Sequence, residues 1–179
     1  MEWDIEYTID MQHLSNETFT ELVNSTYIPP RIKREVRFNA VAQTINTDAW
    51  QHIELLAIPD RSGTKGVILL QGTQREIRVR AYEVSRGITS STGKAQPIIC
   101  DFCRTWQTGS RSGSITLYKP NRGAGTITFL CCADLLCSQH VRNLTSASRT
   151  SRSQLREDLT TEQRVARLRE RIETILERC

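Results

Sequence analysis

The sequence is poor in aromatic residues and has no long hydrophobic run. Phe, Trp and Tyr make up only 6% of its 179 residues, and 38% are hydrophobic, which is typical of a soluble protein with a modest core. No apolar run approaches the roughly 18 residues of a membrane-spanning helix. The acidic residues 1–10 lack the apolar segment of a secretion signal. We therefore expect a cytoplasmic protein that does not enter a membrane.

The common sequence motifs of catalysis are also missing. The chain contains no HExxH, GxSxG, P-loop or GxGxxG pattern, which would indicate a metalloprotease, a serine hydrolase or a nucleotide-binding enzyme. We predict that the protein is not an enzyme and that it has no small-molecule substrate.

Cysteine is the most informative residue type that is present. Cys100 and Cys103 form a CxxC pair, and Cys132 and Cys137 follow after a long separation. Because cytosolic thiols stay reduced, cysteines at paired spacings there are more often metal ligands than disulfides. Two pairs from distant segments supply the four tetrahedral ligands that zinc prefers. A thiol redox centre is disfavoured, because such CxxC motifs lie in βαβ units, which this sequence lacks.

The second pair of ligands must be chosen among close neighbours. Cys131 and Cys132 point to opposite faces of a strand, so only one of them can reach the metal. With Asp134 as a helix cap, Cys137 falls in the first helical turn, where the helix dipole favours a thiolate. His140 is kept as a reserve ligand, and Cys131 as an alternative to Cys132. We predict that zinc is held by Cys100, Cys103, Cys132 and Cys137.

The predicted zinc is structural. Catalytic zinc keeps one position open for water and usually has a general base beside it. Four thiolates close the coordination shell. Asp101 and Asp134 are the only acids between Cys100 and Arg156, and we assign them to a turn and to a helix cap.

The first half of the chain predicts one helix and three strands. Ser15 or Asn16 can cap a helix that the prolines at positions 29 and 30 should end by about Tyr27. Residues 52–58, 66–71 and 75–84 are strand candidates separated by short turns, and they indicate an antiparallel meander covered by the helix. The Ser-, Thr- and Gly-rich residues 85–97 then form a connection.

The second half predicts a hairpin and two helices. Residues 114–118 and 126–131 are the hairpin strands, and a helix should begin near Asp134 and continue to Leu144. Residues 145–153 are typical of a mobile basic linker. Thr160 and Gln163 can form a capping box for a C-terminal helix. The apolar stripe of this helix either packs on the core or docks on a partner, and consists of Val165, Leu168, Ile172, Ile175 and Leu176.

A cysteine knuckle, a hairpin and a helix that supplies the second ligand pair together describe a treble clef. We therefore predict an α+β fold, with a small antiparallel sheet, an N-terminal helix, a treble-clef zinc finger and a C-terminal amphipathic helix. The predicted domains are residues 1–97, with the helix and meander, and residues 98–179, with the zinc finger and the C-terminal helix.

The zinc-finger region carries the positive charge of the protein. Between Cys100 and Arg156, eight basic residues face only two acids, so this region can be a solvated basic surface or can steer an acidic protein or an RNA backbone toward it. At least two of its aromatic residues should fill the local core, and an exposed Trp106 or Tyr118 could anchor a partner.

The cysteine segments resemble a known family. Cys100-Asp101-Phe102-Cys103, the run from Cys132 to Ser138 that reads CADLLCS, and the following Val141-Arg142 resemble the C-terminal treble-clef domain of the elongation factor G-binding proteins. That family includes the fusidic acid resistance proteins. The Leu14-Ser15 helix, residues 50–60 and the Leu159-Thr160 helix are similar to the short actinobacterial form.

The resemblance implies a protein that binds translation elongation factor G through its zinc finger. In the resistance proteins, this binding helps to release the factor from ribosomes stalled by fusidic acid. The alternative function is that of a zinc-finger protein that binds RNA or the ribosome through its basic surface, so the ribosome and ribosomal RNA are the alternative partners.

Overall fold

A computed structural model describes residues 11–179 of the chain, and the acidic residues 1–10 lie outside them. The strands are β1 (Leu55–Pro59), β2 (Lys65–Gln71), β3 (Ile77–Arg86), β4 (Ile98–Ile99), β5 (Trp106–Gln107), β6 (Ser112–Tyr118) and β7 (Thr126–Cys132). The α-helices are α1 (Asn16–Asn24), α2 (Pro30–Glu35), α3 (Phe38–Ala42), α4 (Cys137–Val141), α5 (Ser146–Leu155) and α6 (Thr161–Arg178). Short 3-10 helices cover Met11–His13, Thr47–His52 and Gly109–Arg111. No helix among residues 11–179 combines the length and the apolar character that crossing a membrane requires.

Five strands form one antiparallel sheet in the order β1-β2-β3-β6-β7, and β4 pairs separately with β5. The predicted meander and the predicted hairpin are both present, and the two share an edge because β3 pairs with β6, with Val84 opposite Ile115. The sequence did not predict this pairing. The division of the chain at residue 97 remains a prediction, and the sheet runs across that point.

Strand β2, which pairs with β1 on one side and β3 on the other, is buried on both faces. Val67 and Leu69 belong to a core beneath the N-terminal helices, whereas Ile68 and Leu70 belong to a core beneath the cysteines and α6. Successive side chains of a strand point to opposite faces, so a continuous apolar run is what a strand between two layers needs. The sheet therefore separates two layers of the protein.

The N-terminal layer begins with α1. The Oγ atom of Ser15 accepts a hydrogen bond from the Thr18 backbone N–H at 3.1 Å, which confirms the predicted cap. Phe19 is buried and stacks on Phe38 of α3, with ring centroids 4.9 Å apart. The first helix thus covers the sheet as predicted, together with two further short helices that the sequence left unassigned.

The layer on the other face includes α6, whose predicted capping box between Thr160 and Gln163 is present. Leu168, Ile172 and Ile175 are at most 1% exposed and belong to the core around the cysteines. Of the two roles predicted for this apolar stripe, the structure shows packing on the core.

The helix after β7 begins later than predicted. It starts at Cys137, and the residue before it, Leu136, makes no side-chain cap. Leu135 has a left-handed backbone with φ of 55°, which is incompatible with a right-handed helix beginning at Asp134. The prediction of a helix from Asp134 to Leu144 is therefore wrong at both ends, since the helix stops at Val141.

Residues 145–153 form most of α5, so the prediction of a mobile linker is wrong. Thr145 caps this helix by accepting the Ser148 N–H at 3.2 Å. Ala147, Ser148 and Ser151 are buried, and the Ser151 Oγ accepts the Trp106 N–H of β5 at 2.6 Å. Small side chains let the helix approach the neighbouring strand closely, although the same composition is typical of a linker.

Candidate metal centre

The first two cysteines lie on a tight turn between β4 and β5. The Arg104 N–H donates to the Cys100 carbonyl at 3.0 Å, and Arg104 itself has a φ of 61°. The Asp101 carboxylate accepts the Leu130 N–H at 2.8 Å, so Asp101 serves in the turn, as predicted, and also ties the turn to β7. The turn thus brings Cys100 and Cys103 to one side.

The other two cysteines flank the connection between β7 and α4. Cys132 ends β7 and Cys137 opens α4. The Leu135 N–H donates to the Cys132 carbonyl at 3.0 Å, and the left-handed backbone at Leu135 turns the chain back. The Asp134 carboxylate accepts the Leu136 N–H at 3.0 Å, so this residue supports the turn and does not cap the helix.

The four thiols form one buried cluster. Their Sγ atoms lie within 4.8 Å of one another, and each cysteine is at most 2% exposed. The Sγ atoms of Cys100 and Cys137 are 3.8 Å apart, and those of Cys103 and Cys132 are 3.4 Å apart. A tetrahedral zinc ion with Zn–S bonds of about 2.3 Å places its sulfur ligands roughly 3.8 Å apart. The cluster therefore has the dimensions of a zinc–thiolate site.

The ionisation of the cluster also favours a cation within it. All six cysteines carry free thiols. Burial raises the pKa of Cys103, but hydrogen bonds from Cys100, Cys132 and Cys137 hold that pKa well below its usual value. Hydrogen bonds with Cys100 and Cys103 raise the pKa of Cys132 and that of Cys137 well above the usual value of a thiol. Four buried thiols cannot all lose their protons side by side unless a positive charge lies between them. The cluster therefore fits a divalent metal ion that replaces the protons.

Cys131 lies outside this cluster. Its side chain is fully buried in the sheet core, and burial is the main cause that raises the pKa of its thiol. A thiol that stays protonated in an apolar core acts as a small hydrophobic residue. The geometry thus gives no support to Cys131 as a replacement for Cys132.

His140 lies next to the cluster and connects it to a carboxylate. Its Nδ1 is 3.2 Å from the Cys132 Sγ and 4.0 Å from the Cys103 Sγ, and its Nε2 is 3.2 Å from an Asp134 carboxylate oxygen. Burial lowers the pKa of His140, but Asp134 and Cys103 together raise it to about 9. Hydrogen bonds to metal ligands from outside the coordination shell orient those ligands, and the contact of His140 with the Cys132 sulfur can act in this way. Cys132, Asp134 and His140 also lie close enough together to share a metal, so His140 remains the reserve ligand.

Two further polar side chains contact the sulfurs and were not singled out from the sequence. The Gln107 Nε2 donates to the Cys132 Sγ at 3.4 Å, and the Thr105 Oγ1 lies 3.0 Å from the Cys103 Sγ. Both residues follow the CxxC turn and are buried. Hydrogen bonds of this kind disperse the negative charge of coordinating thiolates.

A buried ion pair joins the residue that follows α4, Arg142, to the residue that precedes β1, Glu54. The Glu54 carboxylate, fully buried, accepts two hydrogen bonds from the Arg142 guanidinium at 2.7 and 2.8 Å, and a third from Arg169 at 3.2 Å. The Ser138 Oγ accepts the Glu54 N–H at 2.9 Å. Ser138 and Arg142 both belong to the segments that carry the family resemblance, which was the only signal for them in the sequence.

Two of the four aromatic residues between Cys100 and Arg156 fill the core of this region. Phe102 and Phe129 are buried and meet edge to face at 6.3 Å between ring centroids, so two aromatic residues fill the core as predicted. Trp106 and Tyr118 are half-buried. The Tyr118 hydroxyl donates to Glu83 at 2.6 Å, which gives it an internal partner.

A family model matches most of the chain. A family model described as the FBP C-terminal treble-clef zinc-finger matches residues 30–179. A solved structure of the fusidic acid resistance protein FusC is similar at 17% sequence identity and a TM-score of 0.34. That match covers 70% of this chain and 61% of the FusC chain, so the chain spans less than two thirds of that protein. The search of curated proteins found no match.

Proposed function

We propose that this chain, which belongs to the FBP C-terminal treble-clef zinc-finger family, is a zinc-binding protein that binds translation elongation factor G. The match of the family model to residues 30–179 is the observation that carries the proposal. The membership agrees with the resemblance of the cysteine segments. The same resemblance is the basis for proposing elongation factor G as the partner. It is also the basis for the role we propose, which is to release the factor from stalled ribosomes.

The proposed zinc ligands are Cys100, Cys103, Cys132 and Cys137, whose sulfurs lie within 4.8 Å of one another. Four thiolates leave zinc no position for a reacting water, so we assign the metal a structural role and the protein no enzymatic one. The metal joins the CxxC turn, the end of β7 and the start of α4. Its contribution is therefore to hold the surface around these elements in one shape.

We assign partner binding to a groove beside this metal centre. The groove has a volume of about 430 Å³ and lies between the segment that follows α3, strand β1 and the residues from Asp134 to Leu144. Its apolar side chains include Ile45, Ile53, Leu56, Leu136 and Leu144. Leu136 is 41% exposed and Leu144 67% exposed, and exposed leucines at an apolar groove are characteristic of protein-binding surfaces.

The position of Leu136 links the groove to the metal. This residue lies directly before Cys137 and only a few positions after Cys132, so both neighbouring thiolates would fix its backbone. Removal of zinc should release that segment and distort the groove. The arrangement explains how a structural metal can control binding without touching the partner.

The proposal is tested by calorimetric titration of zinc-loaded protein with purified elongation factor G. We expect a stoichiometric complex, and an affinity lower by about tenfold or more in Leu144→Glu, because a charge at the groove must be desolvated on binding. Leu155→Glu is the matched control, since Leu155 is 38% exposed on α5 and does not line the groove. No complex at micromolar concentrations in low salt, or equal losses in the two variants, would contradict the proposal.

A further inference from the structure

A second cavity lies at the end of α5, on a part of the surface that shares no residue with the groove. It has a volume of about 540 Å³ and lies between α5, the loop before α6 and Asn143. Its lining residues are Asn143, Arg149, Arg152, Ser153, Arg156, Glu157 and Asp158. Nothing in the metal centre or in the proposed binding of elongation factor G requires this cavity.

Three arginines line it from one helix and its C-terminal cap. Arg149 and Arg152 are three residues apart on α5 and so lie on the same helical face, and Arg156 ends the helix with a left-handed backbone, φ being 50°. All three are exposed. Within residues 11–179, neither Arg149 nor Arg156 forms an ion pair or a hydrogen bond through its guanidinium. With the Asn143 amide oriented so that its oxygen accepts, that oxygen lies 3.3 Å from the Arg152 guanidinium and 2.8 Å from that of Arg164.

The acidic residues nearby do not neutralise these arginines. Glu157 is already paired with Arg167, which lies on α6. Asp158 is exposed and makes no contact with a cation among the described residues, so it supplies one opposing charge. Burial and the charge of Arg152 together lower the pKa of Arg164, which lies behind the cavity. The helix dipole favours a cation at this end, but three guanidiniums without a carboxylate partner among residues 11–179, beside a buried fourth, leave an excess of positive charge.

The groups in the cavity match a phosphate. Guanidinium groups bind phosphate oxygens through paired N–H donors, and arginine is preferred over lysine where such planar recognition occurs. Ser153 and Asn143 add uncharged polar atoms to the lining. The cavity has no aromatic lining residue on which a base could stack, so recognition would be limited to the phosphate and would carry no base sequence.

From this arrangement we propose that the cavity of Arg149, Arg152 and Arg156 binds a phosphate group, supplied by the backbone of single-stranded RNA or by a free phosphate compound. The site binds the anion through the guanidiniums and involves no covalent step. An acidic segment of a protein is the competing ligand, and it is disfavoured by the absence of any apolar lining side chain that would bury against a peptide.

The test is fluorescence anisotropy of a short labelled oligouridylate with the full-length zinc-loaded protein at low salt. Arg149→Gln and Arg156→Gln should each weaken binding by about tenfold, because a charge-assisted contact to phosphate is lost. Each should also lower the slope of log affinity against log salt by about 0.7, the value for one phosphate contact on a single strand. Asp158→Asn should tighten binding, since it removes the opposing charge.

Arg61→Gln is the matched control. Arg61 is an exposed arginine in the turn between β1 and β2, outside the cavity and without an ion pair to any of residues 11–179. Its loss therefore changes the net charge equally. Weakening by this variant as large as that by Arg149→Gln would overturn the proposal, because binding would then follow net charge alone. A change of equal sign in Asp158→Asn and Arg149→Gln would also overturn it.

Competition with inorganic phosphate separates the two sources of the ligand. Displacement of the RNA by millimolar phosphate, with direct phosphate binding that Arg156→Gln weakens, assigns the site to free phosphate compounds. Binding of the RNA without such displacement assigns it to the nucleic acid backbone. If neither binds at low salt, while the two arginine variants lose elongation factor G, the cavity serves a protein partner and the proposal fails. The uncharged groove variant Leu144→Ala should leave phosphate and RNA binding unchanged, because Leu144 does not line the cavity, and this keeps the two proposals separable.

Discussion

Arg142→Ala should be strongly destabilising, because it leaves the Glu54 carboxylate buried without its main partner. Arg142 supplies the two shortest contacts to that carboxylate, at 2.7 and 2.8 Å, and the exposed fractions of the two side chains are 12% and 1%. Breaking a buried ion pair by removing one partner costs about 3–5 kcal/mol. Arg169 still contacts Glu54 at 3.2 Å, so we expect a loss of about 3 kcal/mol, the lower end of that range.

The free energy of unfolding is measured by urea titration at a fixed free zinc concentration, since bound metal adds to stability by mass action. With an m-value of about 2 kcal/mol/M, a loss of that size moves the unfolding midpoint down by about 1–2 M. Arg169→Ala is the comparison variant, because Arg169 is 35% exposed and makes one longer contact. It should cost about 1 kcal/mol or less.

Glu54→Gln combined with Arg142→Met removes both charges and should cost less than the two single changes added together. A loss below about 1 kcal/mol in Arg142→Ala, or simple additivity in the double variant, would refute the reasoning that this ion pair holds the end of α4 against the start of β1. A small loss in Arg142→Ala would mean that the Glu54 carboxylate has found another partner, and additivity would mean that the two charges do not stabilise each other.

Further predictions concern the metal and the pH dependence of stability. Cys137→Ala should release zinc and unfold at least the cysteine region, since structural zinc supplies roughly 10 kcal/mol or more in small sites. Metal analysis with circular dichroism checks this, and unchanged zinc content would move the assignment to His140. His140→Ala should retain zinc but weaken its affinity by about 10–100-fold in a chelator competition, because an outer partner of Cys132 is lost. The hydrogen bond from Tyr118 lowers the pKa of Glu83 in the folded protein below its usual value of 4.5. The bond therefore stabilises the fold fully above pH 4.5, the pKa of the unfolded chain, and this stability is lost as the pH falls through the lower pKa of the folded state. Tyr118→Phe should therefore be less stable than wild type at neutral pH, and the difference should shrink in acid; a constant difference would exclude this linkage.

Features with local signals were predictable from the sequence. The capping box of α6, the Ser15 cap and the turn-bounded strands depend on residues a few positions apart, and the structure contains all of them. The spacing of the cysteines likewise predicted the four thiols that the structure brings together. In each case the sequence pattern and the physical cause lie in the same short segment.

Features that depend on distant partners were not predictable. Alternation along β3 indicates which side chains are buried, but it does not identify β6 as the neighbouring strand. In the sequence alone, Glu54 cannot be distinguished from a surface acid, because its partner Arg142 lies 88 positions later. The composition of α5 is typical of a linker, and the contact between Ser151 and β5, which places this serine in the interior, has no local signal in the sequence.

X-ray absorption spectroscopy at the zinc edge tests the central claim most directly. The account predicts one zinc ion per chain, surrounded by four sulfur atoms at about 2.3 Å. A shell of three sulfur atoms and one nitrogen at about 2.0 Å would place His140 among the ligands and contradict the proposed set. Purified protein that folds without any zinc would contradict the structural role of the metal altogether.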